Sequence, residues 1–243
     1  MESTGSMKVG HSISESGVLQ IRHRRSRIGP ERNLIAAALS SDFFLKRHTP
    51  AVLFHEPELP TGLPDLVAVV LNAGGGAINW HRSRLKERHI RVLHYLHALR
   101  RSSRDKIAAD LRMSRKQVST VVEDLARAGL ITVTAKGIRP RGLGHVFGAQ
   151  AIIAIEAKIG DWSRALEQAA ANHWFASHSY ILIPPTKALA RVTGKARELG
   201  IGVLILENGV VKVAAKARPK KLPASYGSWL LSEWALKSVR KQK

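Results

Sequence analysis

The sequence contains no cysteine, which excludes a disulfide framework and any zinc site that is built on thiolates. Aromatic residues make up only 5% of the chain, and no apolar run approaches the length that a membrane-spanning helix requires. The first 20 residues lack the apolar stretch of a signal peptide. We therefore expect a protein of the reducing cytoplasm that has no membrane partner.

Acidic residues are also scarce. The 243 residues include 18 Asp and Glu against 39 Lys and Arg, which gives a formal net charge of +21. Such an excess favours a polyanionic partner, and we predict nucleic acid over the other candidate, an anionic membrane surface. A chain of this length can bury one core, or one core together with a small satellite domain.

The chain is organised around residues 147–160, a short apolar run that is rich in β-branched residues and ends in Glu156-Ala157-Lys158. The run predicts a buried strand. Side chains alternate along a strand, so Glu156 and Lys158 share one face while Ile155 and Ala157 share the other. A carboxylate and an amine at the end of a buried strand form either a salt bridge at its rim or part of a functional site.

A second carboxylate, Asp65, follows Pro64 at the start of another apolar strand. The pattern Pro64-Asp65 … Glu156-Ala157-Lys158 resembles the PD-(D/E)XK nuclease superfamily. The resemblance implies Mg²⁺, or Mn²⁺, held by Asp65, Glu156 and the carbonyl of Ala157, with Lys158 beside the attacking water. One departure is the spacing, because about 90 residues separate Asp65 from Glu156.

Two more polar residues are candidates for the catalytic site. Glu31 lies on the apolar side of a predicted first helix, and Gln168 lies on a helix that follows the Glu-x-Lys strand. The resemblance implies that both point into the site. Glu31 is otherwise a first-turn acid that complements the helix dipole, and Gln168 is otherwise a capping or surface residue. Glu56, in the turn before Asp65, is a further candidate acid of the site, less favoured than Glu31.

Residues 84–142 predict a different module. Three short helices are followed by a strand, a turn and a return strand, with Ser102 and Ser114 as predicted N-caps. The pattern DKIAADLRMSRKQVSTVVEDLARAGLITV resembles a winged helix-turn-helix domain. The third helix and the wing would then present the DNA-binding residues Arg115, Lys116, Ser119, Thr120, Lys136 and Arg139. A winged helix that is used for protein contacts is the alternative.

Most of the separation between Asp65 and Glu156 is taken up by this module, so we predict that it is inserted into the nuclease core. The expected fold is α/β (α+β), with a mixed central sheet flanked by helices, restriction-endonuclease-like, and an inserted winged helix-turn-helix domain. The predicted parts are a disordered basic arm at 1–28, a discontinuous core at 29–83 and 143–217, the inserted domain at 84–142, and a basic tail at 218–243. The amphipathic helix of the tail packs on the chain's own core or on a partner, such as a second copy.

Three functions compete at this point. The first is a magnesium-dependent DNA endonuclease that is targeted by its winged helix. The second is a DNA-binding regulator or recognition subunit whose nuclease fold is silent. The third is an RNA-directed or purely structural basic protein.

Overall fold

A computed structural model of the chain describes residues 29–40, 51–60, 62, 64–72 and 80–240. The described residues form two compact units. The first consists of those between Ile21 and Leu71 and between Gln150 and Pro223, and the second of those between Asn72 and Ala149 and from Ala224 onward. The basic arm predicted at 1–28 lies outside the described residues.

The described chain contains both helices and strands. The elements before the middle of the chain are α1 (Pro30–Ser40), β1 (Ala51–His55), β2 (Leu66–Leu71), α2 (Trp80–Ser83), α3 (Glu87–Leu99), α4 (Arg104–Leu111) and α5 (Arg115–Arg127). Those that follow are β3 (Ile131–Thr134), β4 (Gly137–Pro140), α6 (Leu143–Val146), β5 (Ala149–Ala157), α7 (Trp162–Ala171), β6 (His178–Ile183), α8 (Leu189–Leu199), β7 (Gly202–Glu207), β8 (Val210–Ala215) and α9 (Tyr226–Arg240). A short 3₁₀ turn, Asn172–Trp174, continues α7.

The first unit is built on a six-stranded sheet with the order β1-β2-β5-β6-β7-β8. The sheet is mixed, because β1/β2 and β7/β8 are antiparallel whereas β5/β6 and β6/β7 are parallel. The prediction of an α+β fold with a mixed central sheet flanked by helices is therefore confirmed.

Helices cover both faces of this sheet. Apolar residues of α1 pack against one face, which includes Ile153, Ile155 and Ala157 of β5. Residues of α7 and α8 pack against the other face, which includes Ile181 and Ile183 of β6. The predicted alternation of side chains in β5 is thus confirmed for Ile155 and Ala157, since alternate residues of a strand lie on the same face.

In the second unit, α3, α4 and α5 are followed by an antiparallel hairpin of β3 and β4. Ser114 caps α5 as predicted, because its hydroxyl accepts from the Gln117 N–H at 3.2 Å while the Gln117 side chain accepts from the Ser114 N–H at 2.9 Å. The predicted cap of α4 was wrong by one residue. Ser103 accepts from the Lys106 N–H at 3.2 Å, whereas Ser102 is buried and pairs with Ile138 of the hairpin through its backbone.

The second unit is wider than the module predicted at 84–142, and the helix predicted in the 218–243 tail belongs to it. A buried ion pair links its outer elements: Arg82 of α2 contacts Glu233 of α9, with Nη2 and Oε1 2.5 Å apart, and Arg82 also donates to the carbonyl of Val146. Both charges are excluded from water and satisfy each other. This pair ties the first and last segments of the unit together.

The apolar face of α9 is covered within the same unit. The ring of Trp229 lies 4.9 Å from that of His97 and 4.9 Å from that of Phe147. A Cβ at Gly148 would come within 2.6 Å of Leu236, so the backbone must approach α9 closely there. In the structure, α9 therefore packs on the chain's own core, which is one of the two predicted outcomes for this helix. No helix of the described residues is long and apolar enough to cross a membrane.

Candidate active site

Asp65 stands one residue before β2 and joins that strand to the end of β5. Its Oδ2 accepts a hydrogen bond from the backbone N–H of Ala157 at 2.8 Å. The two residues are far apart in sequence, yet the sheet order makes their strands neighbours. The start of β2 and the Glu156-Ala157-Lys158 end of β5 therefore lie side by side.

Helix α1 also contributes a side chain at the end of β5. Lys158 Nζ donates to Glu31 Oε2 at 2.9 Å, and the side chains are 17% and 44% exposed. Glu31 lies in the first turn of α1. The structure thus places Glu31, Asp65 and Lys158, which come from three separate elements, around the end of β5.

The electrostatics of the site are dominated by burial of Asp65. Burial raises the pKa of this carboxyl above its ordinary value, against the hydrogen bond from Ala157 and the positive charge of Lys158, which lower the pKa. The negative charges of Glu31 and Glu56 raise the pKa further. The carboxylates of Asp65, Glu31 and Glu56 would therefore stabilise an added positive charge near Asp65.

Glu156 is buried, with 3% of its surface exposed. Its Oε1 accepts from Asn172 Nδ2 at 2.7 Å, and this contact fixes the orientation of the carboxylate. Sequence reasoning missed Asn172. The signal that could have found it is its spacing, because Asn172 follows Gln168 by four residues and such residues lie on one helix face.

Gln168 lies on α7, one turn before Asn172. Its Oε1 is buried and has no hydrogen-bond partner among the residues that the structure describes. A buried amide oxygen without a donor is costly. Its spacing from Asn172 places Gln168 on the side of α7 that leads to Glu156, and its Oε1 makes no hydrogen bond to Asp65 or Lys158.

Glu56 occupies a strained position next to Asp65. Its φ of 46° lies in the left-handed region that non-glycine residues rarely adopt, and only 8% of its surface is exposed. Its N–H donates to the carbonyl of Asp65 at 2.8 Å. Strain of this kind costs about 1–3 kcal/mol and persists where the surrounding structure enforces it. The turn before β2 is therefore pinned in one conformation beside the site.

The donor set suits a hard cation. Carboxylate and carbonyl oxygens are the ligands that Mg²⁺ and Mn²⁺ prefer, and Asp65, Glu156 and the Ala157 carbonyl would supply them. Within the described ranges, no three His, Asp or Glu side chains are arranged to hold a metal ion. A cation here would depend on two carboxylates, the backbone and water.

The residues predicted to contact DNA lie in the second unit. Arg115 and Lys116 are exposed in the first turn of α5, Ser119 is half-buried and Thr120 is exposed. Arg115 Nε lies 3.1 Å from Asp105 Oδ1, and both side chains are largely exposed. The hairpin adds two exposed cations, Lys136 and Arg139.

Comparisons with protein-family models, with curated proteins and with solved structures found no match to this chain.

Proposed function

We propose that the chain is a metal-dependent DNA endonuclease that hydrolyses phosphodiester bonds and is targeted by its second unit. The observation that carries the proposal is the hydrogen bond from Ala157 to Asp65. This bond brings a carboxylate from the start of β2 to the Glu156-Ala157-Lys158 sequence at the end of β5. Glu31, from a third element, completes the group through Lys158.

The order of the elements supports a PD-(D/E)XK core. A helix precedes an antiparallel pair, β1 and β2, and β5 lies beside β2 in the sheet. The next strand, β6, runs parallel to β5 and is reached through α7. This is the arrangement that the resemblance predicts for the nuclease core around its Asp and Glu-x-Lys residues.

In the proposed reaction, a bound Mg²⁺ would neutralise charge on the phosphoryl oxygens and lower the pKa of the attacking water. Asp65, Glu156 and the Ala157 carbonyl would hold the cation. The ammonium of Lys158 would orient the water or stabilise the charge that develops on the phosphoryl group. Glu31 fixes that ammonium at the end of the strand, and Asn172 fixes the carboxylate of Glu156.

The second unit supports DNA as the partner. Three helices with a following hairpin resemble the winged helix-turn-helix class, in which the third helix enters the major groove. Exposed cations stand at the start of α5 and on the hairpin, as phosphate and base contacts require.

Two observations favour the alternative of a DNA-binding regulator or recognition subunit with a silent nuclease fold. The positive charge of Lys158 is paired with Glu31, and the described residues hold no group of three metal-ligating side chains. In a silent site, this pair and the Asn172 contact would serve folding alone.

Cleavage assays separate the two functions. The wild-type protein is incubated with supercoiled, linear and branched DNA, once with Mg²⁺ and once with an excess of chelator. The endonuclease proposal predicts nicking or cutting with Mg²⁺ and none with chelator. Tight DNA binding without cleavage of any of these substrates would instead support the silent fold.

A further inference from the structure

An exposed tryptophan lies in the turn that joins α7 to β6. Trp174 has 71% of its surface exposed and is the most exposed of the four tryptophans whose side chains the structure describes. An isolated apolar residue at a surface needs no functional explanation. The local structure and charge around Trp174 do call for one.

The backbone that carries Trp174 is anchored from within. Trp174 ends the 3₁₀ turn Asn172–Trp174. Asn172 and Phe175 are 4% and 1% exposed, and both Phe175 and Ala176 donate backbone hydrogen bonds to the Asn172 carbonyl, at 3.1 and 2.9 Å. Successive residues of a 3₁₀ turn point in different directions, so the buried Asn172 fixes the outward direction of Trp174.

The same turn is tied to the candidate site. Asn172, two residues before Trp174, donates to Glu156 at 2.7 Å. The ring itself lies toward the start of β5, because Ser177, three residues after Trp174, donates its N–H to the Ile152 carbonyl at 2.9 Å, five residues before Ala157.

Positive charge accompanies the ring. The backbone N–H of Lys220 donates to the Ser177 carbonyl at 2.9 Å, which brings the exposed Arg218, Lys220 and Lys221 to the segment that follows Trp174. The charge of Lys220 also acts on His173, the residue next to Trp174. Single-stranded nucleic acid is bound by this combination, in which cations track the phosphates and aromatic rings stack on the bases.

We propose that Trp174 is a stacking platform for an unpaired base of a DNA strand, and that the substrate therefore carries a single-stranded segment. That this strand is a substrate rests on the proposed nuclease function. The stacking itself does not, and it can be measured without cleavage.

The experiment compares Trp174→Leu, which keeps an apolar side chain, with Trp174→Phe, which keeps an aromatic face. Binding of the full-length protein to single-stranded oligothymidylate and to a duplex is measured in the presence of chelator. We expect Trp174→Leu to weaken single-strand binding by roughly 5- to 150-fold, the range for one stacked base, and Trp174→Phe to retain most of the affinity. Duplex affinity should stay within about 2-fold, because a paired base cannot stack on the ring.

A salt titration distinguishes stacking from charge. Loss of a stacked base should leave the dependence of single-strand affinity on salt unchanged, since no phosphate contact is removed. Trp162→Leu is the matched control, because Trp162 is partly covered by Arg191 and Lys195. It should bind as the wild type does, and thermal unfolding verifies that all variants are folded.

The proposal would be overturned if Trp174→Leu bound single-stranded DNA as tightly as the wild type does. It would also be overturned if Trp174→Phe lost as much single-strand affinity as Trp174→Leu. An equal loss on duplex would also overturn it. Failure of the nuclease function has a different signature, since cleavage would be missing while the difference between Trp174→Leu and Trp174→Phe persists.

Discussion

The carboxylate of Asp65 is held in surroundings that disfavour its charge. Burial and the nearby charges of Glu31 and Glu56 raise its pKa more than the Ala157 hydrogen bond and Lys158 lower it. A functional residue that works against folding stability is expected where the charge is needed for chemistry. The same feature gives a test that needs no assay of activity.

We predict that Asp65→Asn stabilises the protein at neutral pH. A group whose pKa is raised on folding contributes stability below its unfolded pKa and loses that contribution as the pH rises toward its folded pKa. The thermal midpoint of Asp65→Asn should therefore exceed that of the wild type at pH 7, and the difference should shrink toward pH 4, near the ordinary aspartate pKa of about 3.9. The asparagine oxygen can still accept from Ala157.

Glu58→Gln is the matched control, because Glu58 is an exposed acid of the same turn. Its thermal midpoint should follow that of the wild type at both pH values. A lower midpoint for Asp65→Asn at pH 7 would mean that charged Asp65 stabilises the fold, contrary to the direction of its pKa shift.

At the scale of elements, a buried ion pair joins α2 to α9 within the second unit. Arg82 and Glu233 are 2% and 0% exposed. Removal of one member of a buried pair leaves a charge without its counterion and costs about 3–5 kcal/mol.

We expect Glu233→Ala, or Arg82→Ala, to lower the free energy of unfolding of the second unit by about this amount. Chemical denaturation followed by tryptophan fluorescence measures it, because Trp229 and Trp234 lie in this unit and are buried. The exposed pair Lys106–Asp110 is the control, and Asp110→Ala should lower the free energy of unfolding much less, because water screens exposed charges. A similar small cost for Glu233→Ala would show that the pair does not hold α9 in place.

Local sequence patterns predicted helices and strands. They could not predict contacts between residues that are distant in the sequence. The alternation of β5 and the capping box of Ser114 are local, and both could be predicted from the residues. The pairing of Arg82 with Glu233 spans 151 residues, and no local pattern identifies the partner of a lone arginine. The same reason explains why Asn172 was missed, because its role depends on the contact between α7 and β5.

The candidate site was predictable in part. Asp65 and Glu156 stand at the ends of apolar runs, so the strand pattern alone placed each of them at a strand terminus. That Asp65 meets Ala157 depends on the sheet order, which the residues alone do not determine. The contact of Glu31 with Lys158 required the position of α1 above the sheet. The four-residue spacing of Gln168 and Asn172 can be read from the sequence, but the contact of Asn172 with Glu156 depends on how this segment packs on β5.

At the scale of the whole molecule, the formal charge of +21 favours a polyanionic partner. In the proposed function, the second unit recognises DNA and the first unit cleaves it. Changes on α5 should then alter DNA binding and leave the site at Asp65 and Glu156 intact.

Arg115→Ala combined with Lys116→Ala tests this division. Each phosphate contact that is lost should shallow the log–log dependence of duplex affinity on salt by about 0.9. A lost base contact should instead cost about 1–3 kcal/mol on the preferred sequence and little elsewhere. Cleavage at saturating protein should persist. Lys106→Ala is the control on the neighbouring helix α4, and unchanged affinity and salt slope in the double variant would exclude this surface of α5 as the DNA contact.

The most direct test of the central claim is the rate of Mg²⁺-dependent nicking of supercoiled DNA by Asp65→Ala and by Glu156→Ala, measured beside the wild type and Glu58→Ala. The endonuclease account predicts that both site variants lose nicking while their DNA affinity stays within a few-fold, and that Glu58→Ala nicks as the wild type does. Nicking at the wild-type rate by either folded site variant would contradict the account.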